Sequence, residues 1–587
     1  MDEKRELERN EQLMKSCFQL SLAFAALTAY FSYMLAQRRG SIFYYGFVLT
    51  AILILAALYF RSKHKRYMDL LVLKTEWGKQ VNRKRNLKNI KTLFTYVKGE
   101  NKDVFYIDDQ TWEDLTMDKI YEELDRTHTT PGEQLLYYIL RTPAFKNDIL
   151  LKRKAIIDLF KANKEVREEI QLKLFNLGRD PQNSAAELIW SEIPPKNNMR
   201  LLFNLLASLP IVSVIIMPFN LSLGITLLIA LFGVNLYIHY TKGKEISSYV
   251  DGINYLAGLI STAKQVSNIK AVELEECINV LKENAEVCSK IAKKTSSIGR
   301  TEGIDMFADY VYILTLSKER QYYNAINRIS SYRKELKTLL MTLGELDALL
   351  SIASYREGIK NYTEPCLDNE KAHLNVEGVR HPLIKEPIPN SISIDESGIV
   401  LTGSNMSGKS TFLRTIGVNA LFAQTIYTCC AESYCGSFFK VISSISPSDN
   451  LLVGKSYYLG EAEALLRIIK SCDKEVPSLC IIDEIFRGTN PIERISASAE
   501  ILNYLVDNNN LVIVATHDLE LTEMVNNYGC YYFTEDVDDE GLKFDYKLKK
   551  GVSPTRNAIK LLKYLGYPSE IIDRTNSRVD KITEENV

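Results

Sequence analysis

Apolar residues fall into three patterns along this chain, and each predicts a different kind of element. The first pattern is the uncharged run. Residues 16–37 and 40–60 form two such runs, divided only by Gln37-Arg38-Arg39-Gly40. As helices, both are long enough to cross the ~30 Å hydrocarbon core of a bilayer, and both are apolar all round, without a polar face. A cleaved signal peptide does not fit, because the first run is long and a second follows at once. A further uncharged stretch, 201–241, holds His239 as its only ionisable candidate, is broken by Pro218 and Asn220, and is flanked by Lys196, Arg200, Lys242 and Lys244. These runs predict four transmembrane helices in two hairpins; a pair of buried core helices is the plainer alternative for the first two.

The second pattern is helical spacing. Residues 85–200 and 242–350 are rich in Leu, Ile, Glu and Lys, and Leu336, Leu339, Leu340, Leu343, Leu346 and Leu350 recur at the i, i+3, i+4, i+7 positions of one helix face. A long helical bundle follows, interrupted in sequence by the second hairpin. The third pattern begins near residue 390, where short apolar strands alternate with helices as a parallel or mixed sheet requires. The chain therefore reads as an N-terminal hairpin with a basic segment (1–84), a helical core (85–200 and 242–350), a second hairpin (201–241) and a carboxy-terminal α/β domain (351–587).

Charge refines this picture. The 587 residues carry a formal net charge of −1, which gives no global signal for nucleic acid. Locally, residues 61–100 hold twelve Lys or Arg against three acids. By the positive-inside rule this side, with the helical and α/β domains, is cytoplasmic. Attraction to anionic lipid, worth ~1 kcal/mol per basic residue, suffices to explain the segment; a DNA-phosphate patch or a plain solvated helix are the alternatives. Ten cysteines show no metal spacing and no disulfide framework, and Cys429-Cys430 with Cys435 reads as a group of buried thiols. A reduced compartment is the simpler assumption.

Candidate chemistry lies in the last third. An apolar run leads into Thr402-Gly403-Ser404-Asn405-Met406-Ser407-Gly408-Lys409-Ser410-Thr411, with a helix expected after it. Two glycines with four residues between them, then Lys and Ser, form the phosphate-binding loop. The glycines let successive N–H groups face one concavity at a helix N-terminus. Lys409 can then reach the β- and γ-phosphates, and the Ser410 hydroxyl can ligate Mg²⁺. Ser478 to Glu484 is an apolar strand ending in two acids: Asp483 fits the Mg²⁺-holding carboxylate and Glu484 the residue that polarises the attacking water. Leu511 to His517 is another apolar strand, with His517 at its carboxyl end, where α/β sheets place ligand sites. Between them lies Gly454 to Glu461. Singly, these stretches also fit a glycine loop, a capped strand end and a surface histidine; together and in this order they read as a nucleotide-hydrolysing site.

At these residues the chain resembles the MutS family of ATPases, a branch of the ABC-type fold. The loop from Thr402 to Arg414, with its Asn405-Met406 pair, is similar to the family's extended phosphate loop, and Asp483-Glu484-Ile485-Phe486-Arg487-Gly488-Thr489-Asn490 to its acidic motif. Arg380-His381-Pro382, Pro389-Asn390, Phe544 to Leu548, Gly551, Asn557-Ala558 and Tyr564 to Pro568 resemble family segments too. The likeness is strong over about 345–575 and weaker over 108–145, where Asp114-Leu115 and Thr130-Pro131-Gly132-Glu133 carry it. It implies an α/β P-loop ATPase domain with a helical lever, Mg-ATP as ligand, His517 as γ-phosphate sensor, and a homodimer in which Ser456 reaches the ATP held by the partner. Ser456-Tyr457-Tyr458 departs from the usual Ser-Thr-Phe there.

Mismatch readers of that family carry an N-terminal DNA-reading domain with a Phe-x-Glu wedge and a connector. Membrane helices occupy that space here, and Phe533-Thr534-Glu535 sits after the His517 strand, so it is not that wedge. Nor is the nuclease domain of the family's second bacterial branch expected. The leading expectation is a multi-pass membrane ATPase of MutS type whose dimer moves helical levers, with DNA as a mismatch-repair-like target. An ATP-driven transporter is the alternative from another class, although the chain has few membrane helices and no Leu-Ser-Gly-Gly-Gln signature. A third reading is a membrane-remodelling or tethering protein that acts without DNA, using ATP as a conformational clamp.

Overall fold

The Leu336 pattern is realised in one 26-residue helix, Arg333–Gly358, on which all six leucines are buried. It belongs to a computed structural model that describes the chain except residues 1, 192–198, 296–309, 312, 369–370, 396, 404–406, 446–456, 473–474, 487–489, 539–540, 554–558, 560–561, 563–564 and 586–587. The chain divides into two compact units. One comprises Met1–Tyr96, Asp125–Leu136 and Ile156–Gly358; the other comprises Val97–Leu124, Tyr137–Ala155 and Ile359–Val587. Residues 97–124 and 137–155, placed with the helical core on sequence alone, therefore pack with the α/β domain.

The first unit is helical. Helices Asp2–Arg39 and Gly46–Glu76 form an antiparallel hairpin closed by a 3-10 turn, Ser41–Tyr45. Small residues line its seam: a Cβ on Gly46 would collide with the Ser32 hydroxyl at 2.1 Å, and Thr28 and Thr50 hydroxyls meet at 3.0 Å. Both predicted runs are thus helical, and each helix extends into polar sequence beyond its run. The two helices of the second hairpin differ in length, where four comparable spans were expected. Among the described residues, three helices are long and apolar enough to cross a membrane: Lys4–Arg39, Ser41–Glu76 and Leu221–Thr241. The fourth apolar stretch, Leu201–Ile216, is shorter; at 1.5 Å per residue it reaches only about 24 Å. Its helix stops at Ile216, two residues before Pro218, and a new helix starts at Asn220, whose side chain caps Leu223 N–H at 3.1 Å. That helix, Leu221–Val266, runs through residue 241 without a break, so apolar span and bundle helix are one continuous rod.

The Thr130-Pro131-Gly132-Glu133 motif starts helix Thr130–Arg141. The buried Asp347 carboxylate accepts from Thr129 N–H at 2.8 Å, the Thr129 hydroxyl at 2.6 Å and His128 N–H at 3.0 Å, just ahead of that helix. Gly132 is required because a Cβ there would lie 2.1 Å from the Asp347 carboxylate oxygen. Part of the basic segment is structural as well. Arg83 and Arg85 converge on the buried Asp125, and Arg83 also reaches Glu133 at 3.3 Å. Burial alone would raise the Asp125 carboxyl; Arg83, Thr127 and Arg85 hold it below the usual carboxylate range.

The second unit holds the sheets. Its strands are β1 (Cys366–Asp368), β2 (His373–Val379), β3 (Asn390–Asp395), β4 (Gly398–Thr402), β5 (Ser433–Ser437), β6 (Lys440–Ser444), β7 (Ser478–Asp483), β8 (Leu511–Ala515), β9 (Tyr528–Tyr532), β10 (Glu535–Asp538), β11 (Gly541–Phe544) and β12 (Lys549–Lys550). The main sheet runs β12-β9-β4-β8-β7-β6, all parallel except β12, and its central strands β4, β7 and β8 are buried throughout. Strands apolar at every position are what a parallel sheet covered on both faces requires. Helices Tyr457–Ser471 and Pro491–Asp507 pack against one apolar cluster built on Val400, Ile482 and Val514. On helix Lys409–Thr425, a Cβ at Gly417 would strike Leu115 at 2.6 Å and Ile481 at 2.8 Å. A smaller mixed sheet, β1-β5-β2-β3, completes the unit with the β10-β11 hairpin. Cys429 and Cys430 are buried as expected, whereas Cys435 is only partly covered. It sits on β5 opposite Cys366 of the short strand β1, and burial followed by Cys366 pushes its thiol up to about 11.

Candidate functional site

The register of the main sheet decides where the chemistry-bearing residues sit. Leu401 of β4 and Asp483 of β7 both pair with Ala515 of the β8 strand between them. Three parallel strands therefore end flush, and the residues following them emerge at one edge: the glycine loop after β4, Glu484 after β7, His517 after β8. Carboxyl ends of parallel strands are where open α/β sheets form ligand crevices.

The side chains meet there. The Ser410 hydroxyl, at the start of helix Lys409–Thr425, donates to the Asp483 carboxylate. Lys409 is buried; its ammonium donates to Gly403 C=O at 2.7 Å and lies 3.4 Å from His517 Nε2. His517 Nε2 lies 3.3 Å from a Glu484 oxygen. The loop needs its two glycines for distinct reasons. Gly403 has φ +133°, and a Cβ there would stand 2.5 Å from Phe533 C=O; Gly408 has φ +111°. Only glycine adopts such angles without strain. Two non-glycine residues after β7 also take left-handed angles, Glu484 at φ +62° and Phe486 at φ +56°. Such conformations cost ~1–3 kcal/mol each and cluster at functional sites. Here the Glu484 N–H is fixed on Ala515 C=O at 2.8 Å, so the bend aims the carboxylate back over β8.

Lys409, Ser410, Asp483, Glu484 and His517 are thus brought together as the sequence motifs require, with Gly403, Ser407 and Gly408 in the loop and Thr411 following in the helix. Ser404, Asn405, Met406 and Ser456 lie outside the described residues. Sequence reasoning missed the supports. Thr402, at the end of β4, accepts Phe533 N–H through its carbonyl at 3.1 Å and Ser553 N–H through its hydroxyl at 3.2 Å. Arg494 pairs with Asp518, and Asp518 N–H bonds the Thr516 hydroxyl at 3.0 Å, fixing the turn that carries His517. Asn390 accepts Leu548 N–H at 2.7 Å and donates to Tyr546 C=O at 3.0 Å, so two family-like segments clasp each other.

The most distant support is Asp114. Its carboxylate accepts from the Ser443 hydroxyl at 2.8 Å, Ile445 N–H at 3.0 Å and Gln110 at 3.0 Å, and its carbonyl accepts from Arg414 at 2.8 Å. Arg467 binds Asp108 and the Ser443 carbonyl. The segment from Asp108 to Asp114 therefore braces the phosphate-loop helix, the end of β6 and the helix Tyr457–Ser471 together. Nearby, burial and then Arg414 hold the His381 imidazole down to about 4, so it is neutral at physiological pH.

Residues 399–583 match MutS domain V. The domain belongs to the MutS family. Over 275 residues, 44% of this chain and 26% of the relative, the sequence is 30% identical to DNA mismatch repair protein MSH3 of Candida glabrata. It is 28% identical to MSH3 of Saccharomyces cerevisiae over 304 residues, 49% of this chain and 29% of that protein. It is 29% identical to DNA mismatch repair protein MutS of Thermotoga maritima over 280 residues, 46% of this chain and 35% of that one. The matched stretch thus spans about a third or less of these curated relatives. The MutS domain V contains every described residue of the candidate site.

Proposed function

We propose that this protein is a membrane-anchored ATPase of MutS type that binds and hydrolyses Mg-ATP as a homodimer, with DNA as its target. The observation that carries the ATPase reading is the flush ending of β4, β8 and β7, which joins Ser410 to Asp483 and Lys409 to His517. The donor set fits a magnesium triphosphate: a hydroxyl already in contact with a carboxylate, an ammonium inside a glycine loop, and a helix N-terminus behind both. Mg²⁺, held by Ser410 and Asp483, would offset charge on the β- and γ-phosphate oxygens. Lys409 neutralises the same phosphates, and the loop N–H groups from Gly403 to Thr411 cradle them. Glu484 orients and polarises the attacking water. His517, within reach of both Glu484 and Lys409, senses the γ-phosphate. Ser456 contributes across the dimer to the partner's nucleotide. The apolar helices hold the protein in the membrane, with the ATPase domain on the cytoplasmic side, where ATP is available.

Hydrolysis by purified protein tests the assignment. Lys409→Ala should weaken nucleotide binding and abolish turnover. Glu484→Gln should keep binding within a few-fold while lowering kcat by roughly 10²–10⁴. Unchanged hydrolysis in both variants sinks the proposal. DNA binding is tested separately, by salt-dependent association with homoduplex, mismatched and branched DNA; absence of binding at low salt would point to a protein or lipid target instead.

A further inference from the structure

The three apolar helices do not account for all of the first unit at membrane depth. Residues 310–316, Tyr-Val-Tyr-Ile-Leu-Thr-Leu, carry no charge and lie far in sequence from any apolar run long enough to span. This segment, with Glu319 just after it, nevertheless touches the second half of the span Leu221–Thr241. The Tyr310 ring lies 6.2 Å from the Phe232 ring, Asn235 donates to Leu314 C=O at 2.7 Å, and His239 meets Glu319 at 2.9 Å. At 1.5 Å per residue, Phe232 stands about 13 Å and Asn235 about 9 Å inside the Thr241 end of that span. A residue touching the middle of a span shares its depth.

Charge and backbone follow the same axis. Glu319 is fully buried against His239, near the end of the span. Arg320 bonds Asn204 at 2.9 Å, early in helix Met199–Ile216. Deeper in, Tyr310 is 55% and Val311 56% exposed, like Ile229 at 66% on the span itself. In hydrocarbon each backbone polar group must find a partner within the protein. The turn ahead of helix Ser317–Ser331 meets that demand at the groups that break from helix. Leu314 C=O is taken by the buried Asn235 amide, Thr315 N–H by Val311 C=O at 3.0 Å, and Leu316 N–H by Ile313 C=O at 3.2 Å. Neither Asn235 nor the Glu319–His239 pair has an evident reason to be buried in a purely apolar hairpin.

We propose that Tyr310, Val311 and residues 313–316 are inserted into the bilayer, with Tyr310 and Val311 facing acyl chains and Asn235, His239 and Glu319 tying the segment to the membrane helix. This rests on the membrane reading of Leu221–Thr241. The test places a photoreactive benzoylphenylalanine at Tyr310, or at Val311 in a second variant, of the full chain in phosphatidylcholine proteoliposomes. Ile229 is the comparator on the span, and Val272, 84% exposed and beyond the end of the long helix, is the comparator outside it. After irradiation, a mass increase of one phospholipid is expected at 310, 311 and 229 and none at 272. Adducts at 229 with none at 310 and 311 overturn this inference and leave the membrane reading standing. Absence of adducts at 229 as well overturns both.

Discussion

Replacing Asp114 by alanine removes an acceptor shared by two fully buried donors, the Ser443 hydroxyl and Ile445 N–H. A buried donor left without a partner costs about 1–3 kcal/mol, so Asp114→Ala should cost about 2–6 kcal/mol. Gln110 adds little, since it is partly exposed and water can replace the carboxylate for it. Asparagine makes a sharper control. Both buried donors converge on one oxygen, Oδ2, while Oδ1 accepts from Gln110. An asparagine with its carbonyl in the Oδ2 position keeps both bonds, and Gln110 can turn its amide to accept from the new NH2. Asp114→Asn should therefore cost under about 1 kcal/mol. At ~2–4 °C per kcal/mol for a domain of this size, the alanine variant should unfold roughly 5–20 °C earlier and the asparagine variant within a few degrees of wild type. Thermal unfolding of the detergent-solubilised full chain by near-UV circular dichroism reads this. A harmless alanine, or an asparagine as damaging as alanine, would refute the argument that hydrogen-bond acceptance at Oδ2 is what Asp114 supplies.

Gly403→Ala should be worse than an ordinary glycine replacement. It combines φ +133° with a Cβ 2.5 Å from Phe533 C=O, a backbone atom that cannot swing aside, so nucleotide affinity measured by fluorescent-ATP titration should drop by more than tenfold; wild-type affinity would show the loop able to relax. Stability should also depend on pH through Glu133. Burial pushes its carboxyl from 4.5 to about 7, against the pull of Arg83 and with Asp125 and Asp347 adding to the rise. The folded state therefore keeps a proton that the unfolded chain has lost, and stability falls as pH climbs from about 4.5 to 7, by at most about 3 kcal/mol. Glu133→Gln should flatten that fall in urea titrations at pH 5 and pH 8, and an unaltered slope would remove Glu133 as its source.

Apolar runs and the phosphate-loop spacing were legible because each is a local rule. A span needs about twenty uncharged residues wherever it occurs, and a triphosphate cradle needs two glycines with four residues between them before Lys and Ser. The continuation of the second hairpin was not legible, because the charges after Thr241 end the apolar run without ending the helix, which continues unbroken from Leu221 to Val266. Residues 97–124 were read with the wrong neighbours for a similar reason. Helical spacing reports that a face is buried, not which partner buries it, and the contact that assigns Asp114 joins positions 329 residues apart. The motif pair Asp114-Leu115 signalled family, while its physical role became readable only once Ser443, Ile445 and Arg414 were seen around it.

The site itself shows why its residues cannot be separated into structural and chemical ones. The Lys409 ammonium and the Asp483 carboxylate are buried at the end of the sheet and would each be costly alone, while Glu484 and His517 beside them are partly open to water. They lie against one another: Lys409 donates to Gly403 C=O, Ser410 donates to Asp483, and His517 Nε2 stands close to both the Lys409 ammonium and the Glu484 carboxylate. On the proposed function, binding a triphosphate exchanges these internal partners for phosphate and metal, so affinity is set by a difference between two well-paired states. A variant such as Asp483→Ala should lose stability as well as turnover, and its activity can be interpreted only alongside its unfolding curve.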